Sequence, residues 1–206
     1  MTKVLIIDSA ATGEASVSRK LTAAFAEQLR AAQPNVEIVR RDIGRAPIPH
    51  LTEETVGAIR GAPAETEAAQ GALALSDTLI RELKTADVIV IGAPMYNFGM
   101  PSTLKAWFDH VLRARVTFQY SESGPEGLVK GKKAVVIETR GGFYSEGPAA
   151  VMDSQEPHIR TLLGFMGITD VTFVRAEKLA FAADEVIAGA VAQLSGIAAS
   201  ELALAA

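Results

Sequence analysis

Short apolar runs recur along the chain and alternate with longer segments that carry apolar residues at helical spacing. The runs are too short for typical helices and are rich in β-branched residues, which is typical of strands buried on both faces of a parallel sheet. They lie at residues 3–7, 88–91, 134–138 and 171–174, with a shorter alternating run at 37–41 that predicts a strand at or near an edge.

The segments between these runs predict helices. The first helix ends before Pro34, and Leu21, Phe25 and Leu29 share one of its faces. Further helices are expected at about 53–60, 65–83, from 102 onward, 155–166 and 183–206, and residues 116–132 are expected to form an extended segment and a hairpin. This alternation predicts one α/β domain spanning 1–206. Its core would be a doubly wound five-stranded parallel sheet with helices on both faces, in flavodoxin-like or Rossmann strand order.

The loop after the first strand carries hydroxyl groups ahead of a helix N-terminus. Backbone N–H groups, hydroxyls and the helix dipole together suit a phosphate monoester. The hydroxyl-bearing residues are Ser9, Thr12, Ser16 and Ser18. Ordinary N-capping is an alternative that accounts for one of the serines. Neither the G-x-G-x-x-G of dinucleotide sites nor a Walker phosphate loop is present.

Two more loops follow the third and fourth strands and are expected at the same edge of the sheet, where open α/β sheets bind ligands. Tyr96, Asn97 and Phe98 place two aromatic rings beside an amide, which suits a flat heteroaromatic ring. The loop 139–142 ends in two glycines, which allow a ligand to approach the backbone closely. Taken singly, each loop has a plain alternative: aromatics packed on the sheet, or a flexible turn. Together, one phosphate site and one ring site indicate flavin mononucleotide (FMN) rather than a dinucleotide.

Composition argues against several other functions. The net charge of −4 and the lack of a basic run argue against a nucleic-acid partner. With no cysteine there are no disulfides, thiolate metal sites or cysteine nucleophiles, and the three histidines lack metal-ligand spacing, so no metal is expected. No apolar segment is read as approaching the length of a membrane span, and the N-terminus leads directly into a strand. We therefore expect a cytoplasmic protein with no membrane association.

One string, Ala93-Pro-Met-Tyr-Asn-Phe98, is specific enough to indicate a family. Residues 104–105, 116–118, 124–127, 140–142 and 163–170 extend the match. On these residues the chain resembles, over nearly its whole length, the FMN-dependent NADH-azoreductases, a bacterial branch of the flavodoxin-like quinone reductases. Two positions depart from the family: Arg115 stands where a glycine is frequent, and Ala10 where a serine is common.

The resemblance implies a cofactor, a reaction and an assembly. FMN would carry a hydride from NADH to quinones or azo compounds in a ping-pong cycle, without a catalytic side chain. The protein would be a homodimer with active sites at the subunit interface. The implied FMN contacts are Ser9 (replacing the serine absent at position 10), Ser16, Val17, Ser18, Pro94, Met95, Tyr96, Asn97, Phe98, Thr139, Arg140, Gly141 and Gly142. The implied substrate contacts are Tyr120, Leu162 (where the family has an aromatic residue) and Arg60, the last for the nicotinamide nucleotide.

Other proteins use the same kind of sheet. A flavodoxin-type electron-transfer protein is the main alternative, but such carriers are usually more acidic, and the loops 43–65 and 116–132 suit a substrate pocket. A signalling receiver domain would need further acids near Asp8, and a hydrolase would need a G-x-S-x-G turn; neither pattern is present. The choice between NADH and NADPH and the identity of the physiological acceptor stay open.

Overall fold

The computed structural model describes residues 1–201 of the chain, with side chains through residue 199. Its main sheet has five parallel strands in the order β2-β1-β3-β6-β7. The strands are β1 (Lys3–Asp8), β2 (Glu37–Asp42), β3 (Val88–Pro94), β6 (Lys133–Thr139) and β7 (Asp170–Ala176). Of the two strand orders that the pattern allowed, this is the flavodoxin-like one. The prediction that the alternating run forms an edge strand is also confirmed, because β2 pairs only with β1 in this sheet.

Helices connect the strands, as predicted. They are α1 (Val17–Ala32), α2 (Glu53–Ile59), α3 (Glu67–Thr85), α4 (Ser102–Val111), α5 (Glu156–Met166) and α6 (Leu179–Glu201). Short 3₁₀ turns lie at Gly13–Ala15 and Pro148–Met152. The last helix was expected from residue 183 but begins four residues earlier, with a non-helical residue, Ala182, inside it. Its expected end at 202–206 lies outside the described residues.

Each face of the sheet has its own hydrophobic core. On one face Leu5 and Ile7 of β1 pack with side chains of α3, α4 and α5, including the fully buried Trp107. On the other face Val4 and Ile6 pack with α1 and α6. Because consecutive strand residues point to opposite faces, a continuous apolar strand supplies both cores. Each large side chain buried in this way contributes about 1.5–3 kcal/mol.

A small antiparallel hairpin stands outside the main sheet. It consists of β4 (Phe118–Ser121) and β5 (Gly124–Gly127), which confirms the predicted hairpin. Gly127 lies so close to the end of α5 that a Cβ there would be 2.1 Å from the backbone nitrogen of Gly167. The N–H of Val129 then donates to the Met166 carbonyl at 2.8 Å. These backbone contacts fix the hairpin against the end of α5.

One sequence expectation needs correction. The segment Leu179–Ala199 is long and apolar enough to meet the length and composition of a membrane span, although none was expected. Much of its apolar character comes from alanine, and Ala190, Leu194 and Ala198 pack into the core beside α1. These three residues explain the apolar stripe that faces the sheet, while most of the remaining helix is not buried.

Candidate functional site at the carboxyl edge of the sheet

The loops that follow β1, β3 and β6 meet at one edge of the sheet and are joined by hydrogen bonds. The N–H of Ala11 in the first loop donates to the hydroxyl of Tyr96 in the second at 3.1 Å. The N–H of Met95 donates to the carbonyl of Thr139, where the third loop begins, at 2.9 Å. The three segments that were candidates for ligand binding are therefore one structural unit.

The first loop ends at the N-terminus of α1. Ser16 is the N-cap, since its Oγ accepts from the N–H of Arg19 at 3.3 Å and its carbonyl accepts from that of Lys20 at 3.2 Å. Its Oγ also lies 3.0 Å from Oγ of Ser18. In the described part of the chain the N–H groups of Val17 and Ser18 have no acceptor, as is usual for the first turn of a helix. Capping thus leaves two N–H donors and the hydroxyl of Ser18 for an anion.

Ser9 takes a different place from the one expected. Its side chain is fully buried, and its hydroxyl donates to the Gly92 carbonyl at 2.6 Å. This hydrogen bond therefore connects the end of β1 to β3 inside the sheet. Ser9 thus supports this edge of the sheet, and its hydroxyl proton is not free to donate to a ligand.

The cation nearest this helix N-terminus is already paired. The guanidinium of Arg19 makes two hydrogen bonds to the carboxylate of Asp42, one through Nη2 at 2.9 Å, and its Nε donates to the Gly13 carbonyl at 3.1 Å. Burial opposes ionisation of Asp42, but the contact with Arg19 prevails and lowers the pKa of its carboxyl. An anion bound here would be held mainly by neutral donors and the helix dipole.

The second loop holds an uncommon backbone conformation. Asn97 and Phe98 both have positive φ, 48° and 70°, a region that asparagine tolerates and that is strained for phenylalanine. Two reciprocal hydrogen bonds between the backbones of Tyr96 and Gly99, at 2.9 and 3.1 Å, close the turn. The ring of Phe98 is 41% exposed. The fold thus holds an aromatic ring at the surface of the loop at a conformational cost.

The third loop leaves room at one glycine and none at the other. A Cβ on Gly141 would meet no atom within 4 Å, whereas one on Gly142 would lie 2.9 Å from the ring of Tyr144. The carbonyl groups of both glycines accept hydrogen bonds from the turn after β7, at 3.1 Å from Ala180 and 2.7 Å from Lys178. Gly141 offers an open approach to the backbone, while Gly142 is needed by the packing of Tyr144.

Arg140, expected to contact the cofactor, has its side chain turned into the protein. Its guanidinium is fully buried and lies within 2.6 Å of Glu138, 3.0 Å of Asp153 and 3.2 Å of Glu177. Its Nε donates to the side-chain oxygen of Gln155 at 3.2 Å. The side chain therefore organises a buried ionic cluster beneath the loop, and only the backbone of Arg140 is left to face a ligand.

The same cluster reaches the second loop. The buried amide of Gln155 donates to the carbonyl of Ala93 at 2.9 Å, near the end of β3. Its neighbour Ser154 donates its N–H to the Phe98 carbonyl at 3.0 Å. These residues were missed at the sequence level because a short polar segment before a helix is usually an exposed cap. No spacing signal indicates that it crosses beneath a binding loop.

The pKa values of two carboxyl groups in the cluster are shifted in opposite directions. Burial raises the pKa of Glu138 to about 8, although the attraction of Arg140 opposes the shift. One oxygen of Glu138 has no hydrogen-bond partner among the described residues. Burial also acts on Glu177, but the donors around it prevail and lower the pKa of its carboxyl. At neutral pH, Glu138 is therefore neutral and Glu177 is charged.

The expected substrate contacts lie on other elements. Tyr120 is on β4 and is 74% exposed, with its ring 5.7 Å from that of Phe118. Leu162 is on α5 and packs partly against the core. Arg60 is the exposed residue that ends α2.

The sheet has the flavodoxin-like strand order. At its carboxyl edge it carries a helix N-terminus with free N–H groups, suited to a phosphate, and an aromatic loop. These features define a nucleotide-binding α/β protein of the flavodoxin-like class. Residues 2–197 match the family described as having a flavodoxin-like fold. The FMN-dependent NADH:quinone oxidoreductase of Hyphomonas neptunium is 52% identical over 201 residues, which cover 96% of each chain. That of Azotobacter vinelandii is 52% identical over 185 residues, 89% of this chain and 92% of its own.

A solved structure agrees with these relatives. The FMN-dependent NADH-azoreductase of Bacillus anthracis, determined in complex with FMN, superposes with a TM-score of 0.88 at 28% identity, covering 96% of this chain and 98% of its own. The chain therefore belongs to the flavodoxin-like family, in its branch of FMN-dependent quinone reductases and azoreductases.

Proposed function

We propose that this protein is an FMN-dependent NADH:quinone oxidoreductase that also reduces azo compounds. The observation that carries the proposal is that hydrogen bonds join three loops at one edge of the sheet. Each loop has N–H donors or aromatic rings suited to one part of FMN. Relatives named for this activity are 52% identical over nearly all of the chain. The azoreductase solved with FMN has the same fold over 96% of the chain.

The residues present fit the cofactor. The N–H groups of Val17 and Ser18 and the hydroxyl of Ser18 form a donor set with the chemistry that a phosphate monoester requires, beside the capping Ser16. The open approach to Gly141 allows a planar ring to lie close to the backbone. The residues that we propose to hold FMN are Ser16, Val17, Ser18, Pro94, Met95, Tyr96, Asn97, Phe98, Thr139, Gly141 and Gly142, with Ser9 and Arg140 supporting them from beneath.

Bound FMN supplies the hydride-transfer chemistry, and the chain supplies binding, orientation and electrostatics. The α1 N-terminus neutralises the phosphate, and the 94–98 loop orients the ring system. N–H donors at Asn97 and Gly141–Gly142 stabilise negative charge that develops at the polar edge of the ring. Protons come from solvent, so no side chain has to act as an acid or base.

Substrate contacts and assembly follow from the same proposal. We propose a homodimer in which the exposed Tyr120 of one subunit lines the site of the other, beside Leu162. Arg60 would pair with a phosphate of the nicotinamide nucleotide. NADH is the donor named for the relatives, and we place the protein in the cytoplasm.

The first test is an absorption spectrum of the purified protein with FMN, followed by anaerobic additions. We expect flavin bands at about 375 and 450 nm that bleach with NADH and return with a quinone, since two electrons pass in each half of the cycle. A flavin-loaded protein that NADH fails to bleach would favour the flavodoxin-type carrier. A protein that does not take up FMN would contradict the proposal.

The side chain of Asn97 can be tested apart from its backbone. Because Asn97 has φ of 48°, alanine would add strain, whereas glycine adopts this conformation without it. We expect Asn97→Gly, which keeps the backbone N–H, to lower kcat about tenfold or more by loss of the side-chain amide beside the ring, with a melting temperature close to that of the wild type. Steady-state kinetics and thermal melts measure the two effects. An equal loss of turnover and stability would contradict the assignment.

A further inference from the structure

We propose that Glu177 is a positioning residue for the flavin site, which holds the Tyr144–Ser145 segment and thereby the aromatic wall of the second and third loops. The inference rests on the proposed function, because it names a residue that supports the same site without touching the ligand. It rests on geometry that the sequence pattern does not reveal.

The carboxylate of Glu177 collects donors from one short segment. Its Oε1 accepts from the N–H of Tyr144 at 2.8 Å and of Ser145 at 3.1 Å, and its Oε2 accepts from the Ser145 hydroxyl at 2.5 Å. The same Oε1 accepts from Nη1 of Arg140 at 3.2 Å. One carboxylate thus fixes two consecutive backbone N–H groups, and charge-assisted bonds of this kind are the stronger class.

The position of Glu177 is itself fixed. The turn that follows it is pinned to the third loop by backbone hydrogen bonds from Lys178 to Gly142 at 2.7 Å and from Leu179 to Arg140 at 3.2 Å. Lys178 has φ of 64°, a conformation that a non-glycine residue keeps only when its surroundings enforce it. The carboxylate is therefore presented from a rigid turn.

The segment that Glu177 holds forms part of the site wall. The ring of Tyr144 packs edge-on against that of Phe98, with centroids 5.9 Å apart and planes at 82°. It also lies against Gly142, where a Cβ would be 2.9 Å from the ring. Movement of Tyr144 would therefore disturb both the aromatic loop and the glycine loop, where we place the ring of the cofactor.

Loss of the Glu177 charge is compatible with folding. The cluster places three carboxyl groups around Arg140, so removal of Glu177 leaves the guanidinium paired with the carboxylate of Asp153 and hydrogen-bonded to Glu138. The principal expected consequence is release of the Tyr144–Ser145 segment.

The experiment compares Glu177→Ala, Glu177→Gln and the matched control Glu82→Ala, a largely buried carboxylate on α3 that pairs with Arg41 outside this cluster. In FMN-free protein we expect Glu177→Ala to speed amide hydrogen exchange at Tyr144 and Ser145 about tenfold or more. FMN titration of the same samples should give a Kd raised about tenfold, the loss expected for charge-assisted hydrogen bonds. Glu177→Gln keeps an acceptor oxygen for both N–H groups and should recover most of the affinity.

The outcomes separate this inference from the proposed function. Failure of the wild type to bind FMN would contradict the proposed function. The exchange data would still show whether Glu177 holds the Tyr144–Ser145 segment. Faster exchange with unchanged FMN affinity, or equal losses in Glu177→Ala and Glu82→Ala, would overturn the positioning role. If Glu177→Ala does not fold, Ser145→Ala removes one bond to the carboxylate from an exposed residue. We then expect a Kd raised about threefold, and wild-type affinity would overturn the proposal.

Discussion

Replacement of Arg140 by methionine should lower the free energy of unfolding by about 3–5 kcal/mol. Methionine keeps the aliphatic stem but removes the cation shared by Glu138, Asp153 and Glu177. Glu138 is already neutral at pH 7, so the charged carboxylates of Asp153 and Glu177, whose side chains are 11% and 8% exposed, would have to protonate or separate. Removal of one partner from a buried ionic cluster leaves uncompensated charge, which is the main source of the loss. Urea denaturation at pH 7 measures it.

A second arginine serves as the control for this measurement. Arg175 also pairs with a carboxylate, Glu156, at 2.6 Å, but its side chain is 40% exposed. Exposed ion pairs contribute little, so Arg175→Met should cost at most about 1 kcal/mol. A loss below 1 kcal/mol for Arg140→Met, or one equal to that of Arg175→Met, would mean that the cluster does not act as a buried charge network.

Substitution of Glu138 by glutamine should remove a pH dependence of stability between pH 6.5 and 8. Burial raises the pKa of Glu138 to about 8 from its ordinary 4.5, so the folded protein holds a proton that the unfolded chain has released. The contribution is complete below pH 4.5 and is lost as pH rises through 8. The slope is at most about 1.4 kcal/mol per pH unit. Glutamine mimics the neutral form and does not titrate, so the stability of this variant should no longer fall with pH in this window.

The window is chosen to isolate Glu138. Burial lowers the pKa of His110 below its ordinary 6.5, so near pH 6.5 the unfolded chain binds a proton that the fold does not, which adds a small rise in stability with pH to the wild type and the variants alike. Burial opposes ionisation of Glu156, but its arginine partners prevail and lower the pKa of its carboxyl, which therefore titrates below pH 4.5. Glu156→Gln should therefore keep a falling slope, made smaller only because loss of the Glu156 charge removes one of the causes that raise the pKa of Glu138. Unfolding free energies at pH 6.5, 7.25 and 8 test this pair; equal slopes for wild type and Glu138→Gln would contradict the prediction.

The local chemistry of the chain determined much of the candidate site. The apolar runs and the helical spacing between them predicted the strands of the sheet, and the edge position of β2 followed from its alternation. Because carboxyl ends of parallel strands meet at one edge, the three loops could be expected to converge without knowledge of any contact. The hydrogen bonds from Ala11 to Tyr96 and from Met95 to Thr139 are what that expectation requires.

The direction of individual side chains was decided only by the tertiary structure. Ser9 and Ser18 belong to the same hydroxyl-rich loop, yet the hydroxyl of Ser9 bonds across the sheet and that of Ser18 lies at the helix N-terminus. The glycine-rich string contains Arg140, but its side chain enters a cluster assembled from β6, from the segment before α5 and from the turn after β7.

The physical reason is that pattern reports local preference, whereas burial and charge depend on what lies across from a residue. Strand alternation predicts the face to which a side chain points. In a sheet covered on both sides it does not predict that Glu138 contacts the guanidinium of Arg140, two residues further along the chain. Capping and turn rules account for Ser16 and for the positive φ of Asn97, which are local. The partners of Glu177 are 32 to 37 residues away in sequence, and only the packing of β6 against β7 brings them together.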